Sequence, residues 1–215
     1  MISTRAERVR QGSRRRRDRE KQDLRQALLN AASELVLALG YERFSLRRVA
    51  ERIGYSATTI YLYFENKDAL LAAVVEEGFS RFLRALEAVD TPDPLERIAD
   101  LGRAYVGFAL ANRVYYQLMF MQRADLLPYT SRGGGWSPDE QPDASFAVLL
   151  RAVQAAIGAG ALRPVDPRAA SFVLWAAVHG VASLVISGAA TLDEATTAAA
   201  TELALATSLG GLARA

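Results

Sequence analysis

The sequence predicts an all-α fold, with a small helix-turn-helix part at the N-terminus and a larger helical part after it. Apolar residues recur every three or four positions along most of the 215-residue chain, which is the spacing of one helix face. No segment alternates convincingly between apolar and polar residues at period two, the pattern of a half-buried strand. Serine, asparagine and glycine fall where helix caps are needed. With 51% hydrophobic and 23% charged side chains, there is enough apolar surface for one or two packed domains.

Residues 1–20 lack apolar periodicity and read as a disordered basic arm holding Arg14, Arg15, Arg16 and Arg17. Leu24, Leu28, Ala31, Leu35 and Leu39 then mark a first helix, closed by Gly40. Ser45 caps a second, short helix whose inner face is Leu46, Val49, Ala50 and Ile53, and which stops at Gly54. Ser56 opens a third over residues 57–64, and Asn66 opens a longer helix carrying Leu70, Leu71, Val74 and Val75. Further helices are expected over residues 94–112, 114–122, 143–158, 167–187 and 192–209. Pro92, Pro94, Pro164 and Pro167 fall at starts or links, where proline is tolerated. Residues 130–142, with Gly133, Gly134 and Gly135, read as a mobile loop. That triple glycine lacks the strand-turn-helix context and the Gly-Lys-Ser/Thr of a phosphate-binding loop.

Composition removes most enzyme classes. The chain has no cysteine, which excludes disulfides, thiolate chemistry and cysteine metal sites, and fits a reducing compartment. Its one histidine, His179, is too little for His-based catalytic or metal machinery, so neither a catalytic residue, a metal nor a cofactor is expected. Charge is uneven: 17 basic against 11 acidic side chains over residues 1–85, and 9 against 13 over residues 86–215. The N-terminal part therefore suits a polyanion. No apolar segment of an export signal follows the early arginines, and Glu7, Asp18, Glu20 and Asp23 argue against a transit peptide, so a cytoplasmic protein is expected. Residues 169–192 are long and uncharged enough to span a bilayer, but Ser171, Ser183, Ser187, Gly180, Gly188 and many alanines favour a fully buried helix.

Residues 46–63 have the layout of a helix-turn-helix, in which the first helix supports the second so that its N-terminal residues face base edges in the major groove. The residues carry a resemblance as well. Phe44-Ser45-Leu46-Arg47-Arg48-Val49-Ala50, Ile53-Gly54-Tyr55-Ser56 and the run from Thr59-Ile60-Tyr61-Leu62-Tyr63-Phe64 through Glu65-Asn66-Lys67-Asp68-Ala69-Leu70 resemble the N-terminal domain of TetR/AcrR-type repressors. Tyr115 to Phe120, with Trp175 and His179-Gly180, is similar to a TetR subgroup named for a Trp-His-Gly signature. The resemblance implies homodimers whose N-terminal domains bind a palindromic double-stranded operator and whose C-terminal domains bind a small-molecule inducer. It also implies a division into an arm over 1–20, a DNA-binding domain over 21–66 and a ligand-binding and dimerisation domain over 67–215.

By the same resemblance, Tyr61 and Lys67 contact DNA phosphates, and Ser45 combines capping with phosphate contact. Ser56, Ala57, Thr58, Leu62 and Tyr63 belong to the recognition segment, with Thr58 the clearest hydrogen-bonding reader. Ala57 and Tyr63 depart from the basic or polar residue and the histidine that many relatives carry there. Arg47 and Arg48 reach backbone or bases, or form a solvated face. Arg14 to Arg17 enter the minor groove or track the backbone, or serve as a solubilising tail. Ile60, Phe64, Leu46, Val49 and Ile53 read as core.

The second half supplies apolar and aromatic walls for a pocket: Tyr105, Phe108, Tyr115, Tyr116, Met119, Phe120, Trp136, Phe146, Leu150, Phe172 and Trp175. His179 lies in that pocket, at the interface or in the core. Ala176, Ala177, Gly180, Ala182, Ser183 and Gly188 permit close helix approach at the dimer interface that the resemblance implies. The alternative reading is a DNA-binding architectural or activating protein without a ligand. Inducer, operator and regulated genes are not legible in these residues.

Overall fold

The computed structural model describes residues 5–121 and 144–213, and the side chains of residues 11–121 and 144–213. The loop expected over 130–142, with Trp136, lies outside the described residues. Among those described, helices dominate and no strand is present. They are α1 (Arg5–Leu39), α2 (Leu46–Ile53), α3 (Ala57–Tyr61), α4 (Lys67–Glu87), α5 (Pro94–Ala111) and α6 (Arg113–Tyr116). A π-helical turn, Gln117–Met121, follows, and then α7 (Ala144–Gly158), α8 (Pro167–Ile186) and α9 (Glu194–Gly210).

Caps decide most of these boundaries. Ser45 Oγ accepts the Arg48 N–H at the start of α2, and Ser56 Oγ accepts that of Thr59 at the start of α3. Asn66 Oδ1 does the same for Ala69 in α4, at 2.8 Å. Asp93, Asp166 and Asp193 cap α5, α8 and α9. Gly54 ends α2 at φ 73°, a left-handed conformation that lets its N–H bond back to Ala50 and Glu51.

The chain forms two compact units that divide within α4, between Val74 and Val75, rather than at its first residue. In the N-terminal unit, Leu28, Leu29, Ala32 and Val36 of α1 are buried together with Phe44, Leu46, Val49, Ile60, Phe64 and Leu70. In the C-terminal unit, α8 packs on α5, α7 and α9, and α5 packs on α7 and α9. Arg103 of α5 grips Glu202 of α9 in a two-pronged ion pair, Nε–Oε1 2.7 Å and Nη2–Oε2 2.8 Å.

Four expectations change. The N-terminal arm is not disordered where it is described: α1 begins at Arg5, and its Arg, Glu, Gln, Lys and Ala residues are good helix formers uninterrupted by proline. The third helix ends at Tyr61 and not Phe64, because the chain tightens into a turn in which Tyr63 N–H bonds to Ile60 O at 2.9 Å. The helix expected over 114–122 is a single α-turn followed by the π-helical turn. Finally, α8 is long and apolar enough to cross a membrane, yet it is not fully buried: only 39% of its apolar window is covered. One side, with Leu174, Val178 and Ala182, is core, whereas Val173 and Leu184 face outward.

Two glycines of α5 are expected to respond oppositely to alanine. A Cβ on Gly102 collides with the Leu205 side chain, which is buried, so Gly102→Ala costs about 1–3 kcal/mol. Gly107 has open space around its Cβ position, so Gly107→Ala gains about 0.5–1 kcal/mol of helix propensity. Urea unfolding of the two variants reads both signs.

Candidate functional site

Within the N-terminal unit, α2 and α3 display a continuous polar and aromatic surface. Arg47, Arg48, Ser56, Thr58, Tyr61 and Leu62 are exposed, and Ser45, Ala57, Tyr63 and Lys67 are half-buried. Tyr61 and Leu62 stand 59% and 80% open to solvent, although both are large and apolar in body. Burial of Ile60 before them, and of Phe64 after them, fixes which way they point. Thr59 is occupied locally, its hydroxyl 2.9 Å from that of Ser56, whereas Thr58 and Tyr61 are the exposed hydroxyl-bearing side chains of the short helix.

Lys67 is held in place. Its ammonium lies 3.8 Å from the centroid of the Tyr41 ring and donates to Tyr41 O at 3.2 Å, while the Tyr41 hydroxyl donates to Asp68 Oδ1 at 2.6 Å. Tyr41 is a residue that sequence reasoning missed; following a cap glycine, it carries no signal of its own. Arg47 forms an exposed pair with Glu51 at 3.1 Å, and pairs of that kind contribute little. Arg14 to Arg17 are all exposed, but as consecutive helical residues they point in four directions, about 100° apart.

In the C-terminal unit, four polar groups converge among aromatic rings. His179 Nδ1 lies 2.8 Å from the Tyr116 hydroxyl and 2.9 Å from that of Tyr105. The two hydroxyls are 3.2 Å apart, and Trp175 Nε1–H donates to Tyr105 at 3.2 Å. One ordering gives every group a partner: Trp175 donates to Tyr105, Tyr105 to Tyr116, and Tyr116 to His179 Nδ1, with the imidazole proton on Nε2. Burial pushes the Tyr105 and Tyr116 hydroxyls up from their ordinary range and the imidazole down, so all three are neutral. Ser183 donates to the His179 carbonyl.

Phe120 and Trp175 pack on His179, at ring separations of 5.8 and 5.5 Å, and Phe146 and Phe172 flank Trp175. Phe108 packs on Phe82 of α4, which in turn packs on Tyr105, at ring separations of 5.1 and 5.2 Å. Phe82 and Phe79 were not among the sequence candidates, although they continue the apolar side of α4 begun by Leu71 and Val75. The π-helical turn aims Phe120 at this cluster, while Met119 lies where a side chain on Gly78 would be.

Residues 28–74 match the family model of bacterial regulatory proteins, tetR family, and residues 98–207 that of the tetracyclin repressor-like C-terminal domain. The chain belongs to the TetR family of transcription regulators. The family and the chain's relatives in it are transcription regulators, not enzymes, and the helix-turn-helix is the family's DNA-binding element. It is 27% identical to the HTH-type transcriptional regulator RutR of Escherichia coli O157:H7 over 180 residues, 79% of this chain and 81% of RutR. An uncharacterized HTH-type transcriptional regulator of Haemophilus influenzae is 37% identical over 67 residues, 31% of this chain and 36% of that protein. The fatty acid metabolism regulator protein of Bacillus subtilis is 32% identical over 60 residues, 28% of this chain. The chain thus spans about a third of the length of these last two relatives, 36% and 31%. A solved Rhodococcus sp. RHA1 protein of unknown function is 32% identical with a TM-score of 0.71, covering 89% of this chain and 96% of that one.

The depressed His179 pKa sets a pH dependence. The unfolded chain takes up a proton near the ordinary value of 6.5, which the folded imidazole resists. Stability is therefore fully present above that value and falls as pH drops below it, levelling once the folded imidazole also protonates. Unfolding midpoints measured through this range are expected to show the decline in the wild type and not in His179→Gln.

Proposed function

We propose that this TetR-family regulator is a cytoplasmic repressor that binds a palindromic operator as a homodimer and is released by a small, largely apolar ligand in its C-terminal domain. The observation carrying the DNA half is the exposure of Thr58, Tyr61 and Leu62 on a capped, well-buried frame. Tyr61 and Lys67 contact phosphates, and Thr58 reads a base edge. Ser45 combines its cap with a phosphate contact, and Arg47 and Arg48 approach the backbone.

The ligand half rests on the Tyr105–Tyr116–His179–Trp175 cluster, a few orienting polar groups set among aromatic walls. Those groups are neutral, so they suit an uncharged ligand better than a carboxylate or phosphate. Tyr105, Tyr116, Phe120, Trp175 and His179 hold it, with Phe146 and Phe172 at its edge and Phe108 behind. Trp175 and His179 also support assignment of the C-terminal domain to the Trp-His-Gly subgroup. Val173 and Leu184 of α8 and Leu203 of α9 are outward-facing apolar residues, which a second copy of the chain covers in the dimer.

Native mass spectrometry with a duplex from immediately upstream of its own gene tests the stoichiometry: two chains per duplex is expected, and one chain per duplex contradicts the dimer. Lys67→Met is expected to weaken binding to operator and scrambled duplex alike and to lower the slope of log K against log salt by about 0.9 per subunit. Thr58→Ala is expected to relax preference at one base pair by about 1–3 kcal/mol. Anisotropy titrations against single-base operator variants separate the two effects.

A further inference from the structure

Arg14, Arg17, Lys21 and Arg25 follow one another along α1 at spacings of three, four and four residues, and Leu28, Ala32 and Val36 continue the progression. At 3.6 residues per turn these seven positions share one side of the helix, within an arc of about 100°. From Leu28 onward that side is buried in the helix-turn-helix unit. Before it, the same side is basic and exposed. Arg25 marks the change, its guanidinium 5.8 Å from the centroid of the Phe64 ring. Arg15, Arg16 and Arg19 fall on other sides, where Arg16 pairs with Glu20 at 3.5 Å. Asp23 falls opposite the stripe, Glu20 lies about 60° beyond Arg17 on its flank, and Asp18 lies at its other margin.

The helical state constrains what this arm can touch. A helix with its side chains is about 10–12 Å across, and the minor groove of DNA is about 6 Å wide, so the segment cannot enter it. The major groove of the half-site is taken by α3. What remains is the sugar–phosphate backbone, and a stripe about 16 Å long matches it in length and charge.

We propose that the N-terminal part of α1 is a helical ramp for DNA phosphates: Arg14, Arg17 and Lys21 lie on the backbone flanking the half-site, and Arg15, Arg16 and Arg19 stay in solvent. This rests on the DNA-binding reading above. The ramp adds affinity without base readout, which offsets the scarcity of polar readers on α3.

Two charge-matched triple variants test the face against the charge. Arg14→Gln/Arg17→Gln/Lys21→Gln and Arg15→Gln/Arg16→Gln/Arg19→Gln are titrated beside wild type, by anisotropy over a salt series, against a labelled duplex from upstream of the chain's own gene. Circular dichroism confirms that both keep wild-type helicity. The first is expected to lower the log K–log salt slope by about 2.7 per bound subunit, at about 0.9 per phosphate, and the second by less than about 1. Equal losses in both variants, or no loss in either while wild type binds saturably, would overturn the ramp and leave the regulator reading standing. Absence of saturable binding by wild type overturns both.

Discussion

The hydroxyls of Tyr105 and Tyr116 are buried among aromatic rings, and a buried hydroxyl without a partner costs about 1–3 kcal/mol. That requirement fixes much of the C-terminal unit. Both hydroxyls are satisfied only if α8 presents His179 and Trp175 at one depth, α5 presents Tyr105 opposite, and α6 brings Tyr116 alongside. In the π-helical turn after α6, Leu118 and Met119 are buried while Phe120 meets the histidine ring. A neutral network of this kind has two uses. It specifies one packing of the three helices, and it offers hydrogen-bonding groups whose strength is high because little water competes.

The second constraint is α4. It is one uninterrupted helix from Lys67 to Glu87, and the chain divides into its two units inside it. Its first turn is tied down by Tyr41 through both Lys67 and Asp68. Its later turns supply Gly78, against which Met119 and Tyr115 close, and Phe79 and Phe82, which join the aromatic cluster. Lys67 and Asp68, which Tyr41 holds, and Phe79 and Phe82, which pack beside the polar cluster, thus belong to one helix. In the proposed repressor, a ligand acts on DNA binding only through its different affinity for the DNA-bound and free states.

Much of the fold was legible because local rules and burial agree. Ser45, Gly54, Ser56 and Asn66 cap as serine, glycine and asparagine should, and the buried Leu46, Val49, Ile60 and Phe64 follow helical spacing. What escaped was set by tertiary context. No local pattern marks a π-helical turn at Gln117, or says that Tyr41 will lie under Lys67 some 26 positions away in sequence. The arm is helical although it lacks apolar periodicity, because that lack argues against a packed helix and not against a helix that continues from a packed one. At the candidate ligand site the aromatic composition identified most of the ring cluster, but it did not separate Phe108, which packs on Phe82, from Phe120, which touches His179. Nor could it say that the histidine would meet two hydroxyls through a single nitrogen.

Sequence-specific recognition of DNA is the claim on which the rest stands, and a fluorescence-anisotropy titration of the purified chain against a labelled duplex from immediately upstream of its own gene, with scrambled competitor, tests it most directly. Expected is saturable binding that survives an excess of scrambled duplex. Equal displacement by any duplex would contradict operator recognition through α3 and leave a basic helical surface that binds DNA by charge alone.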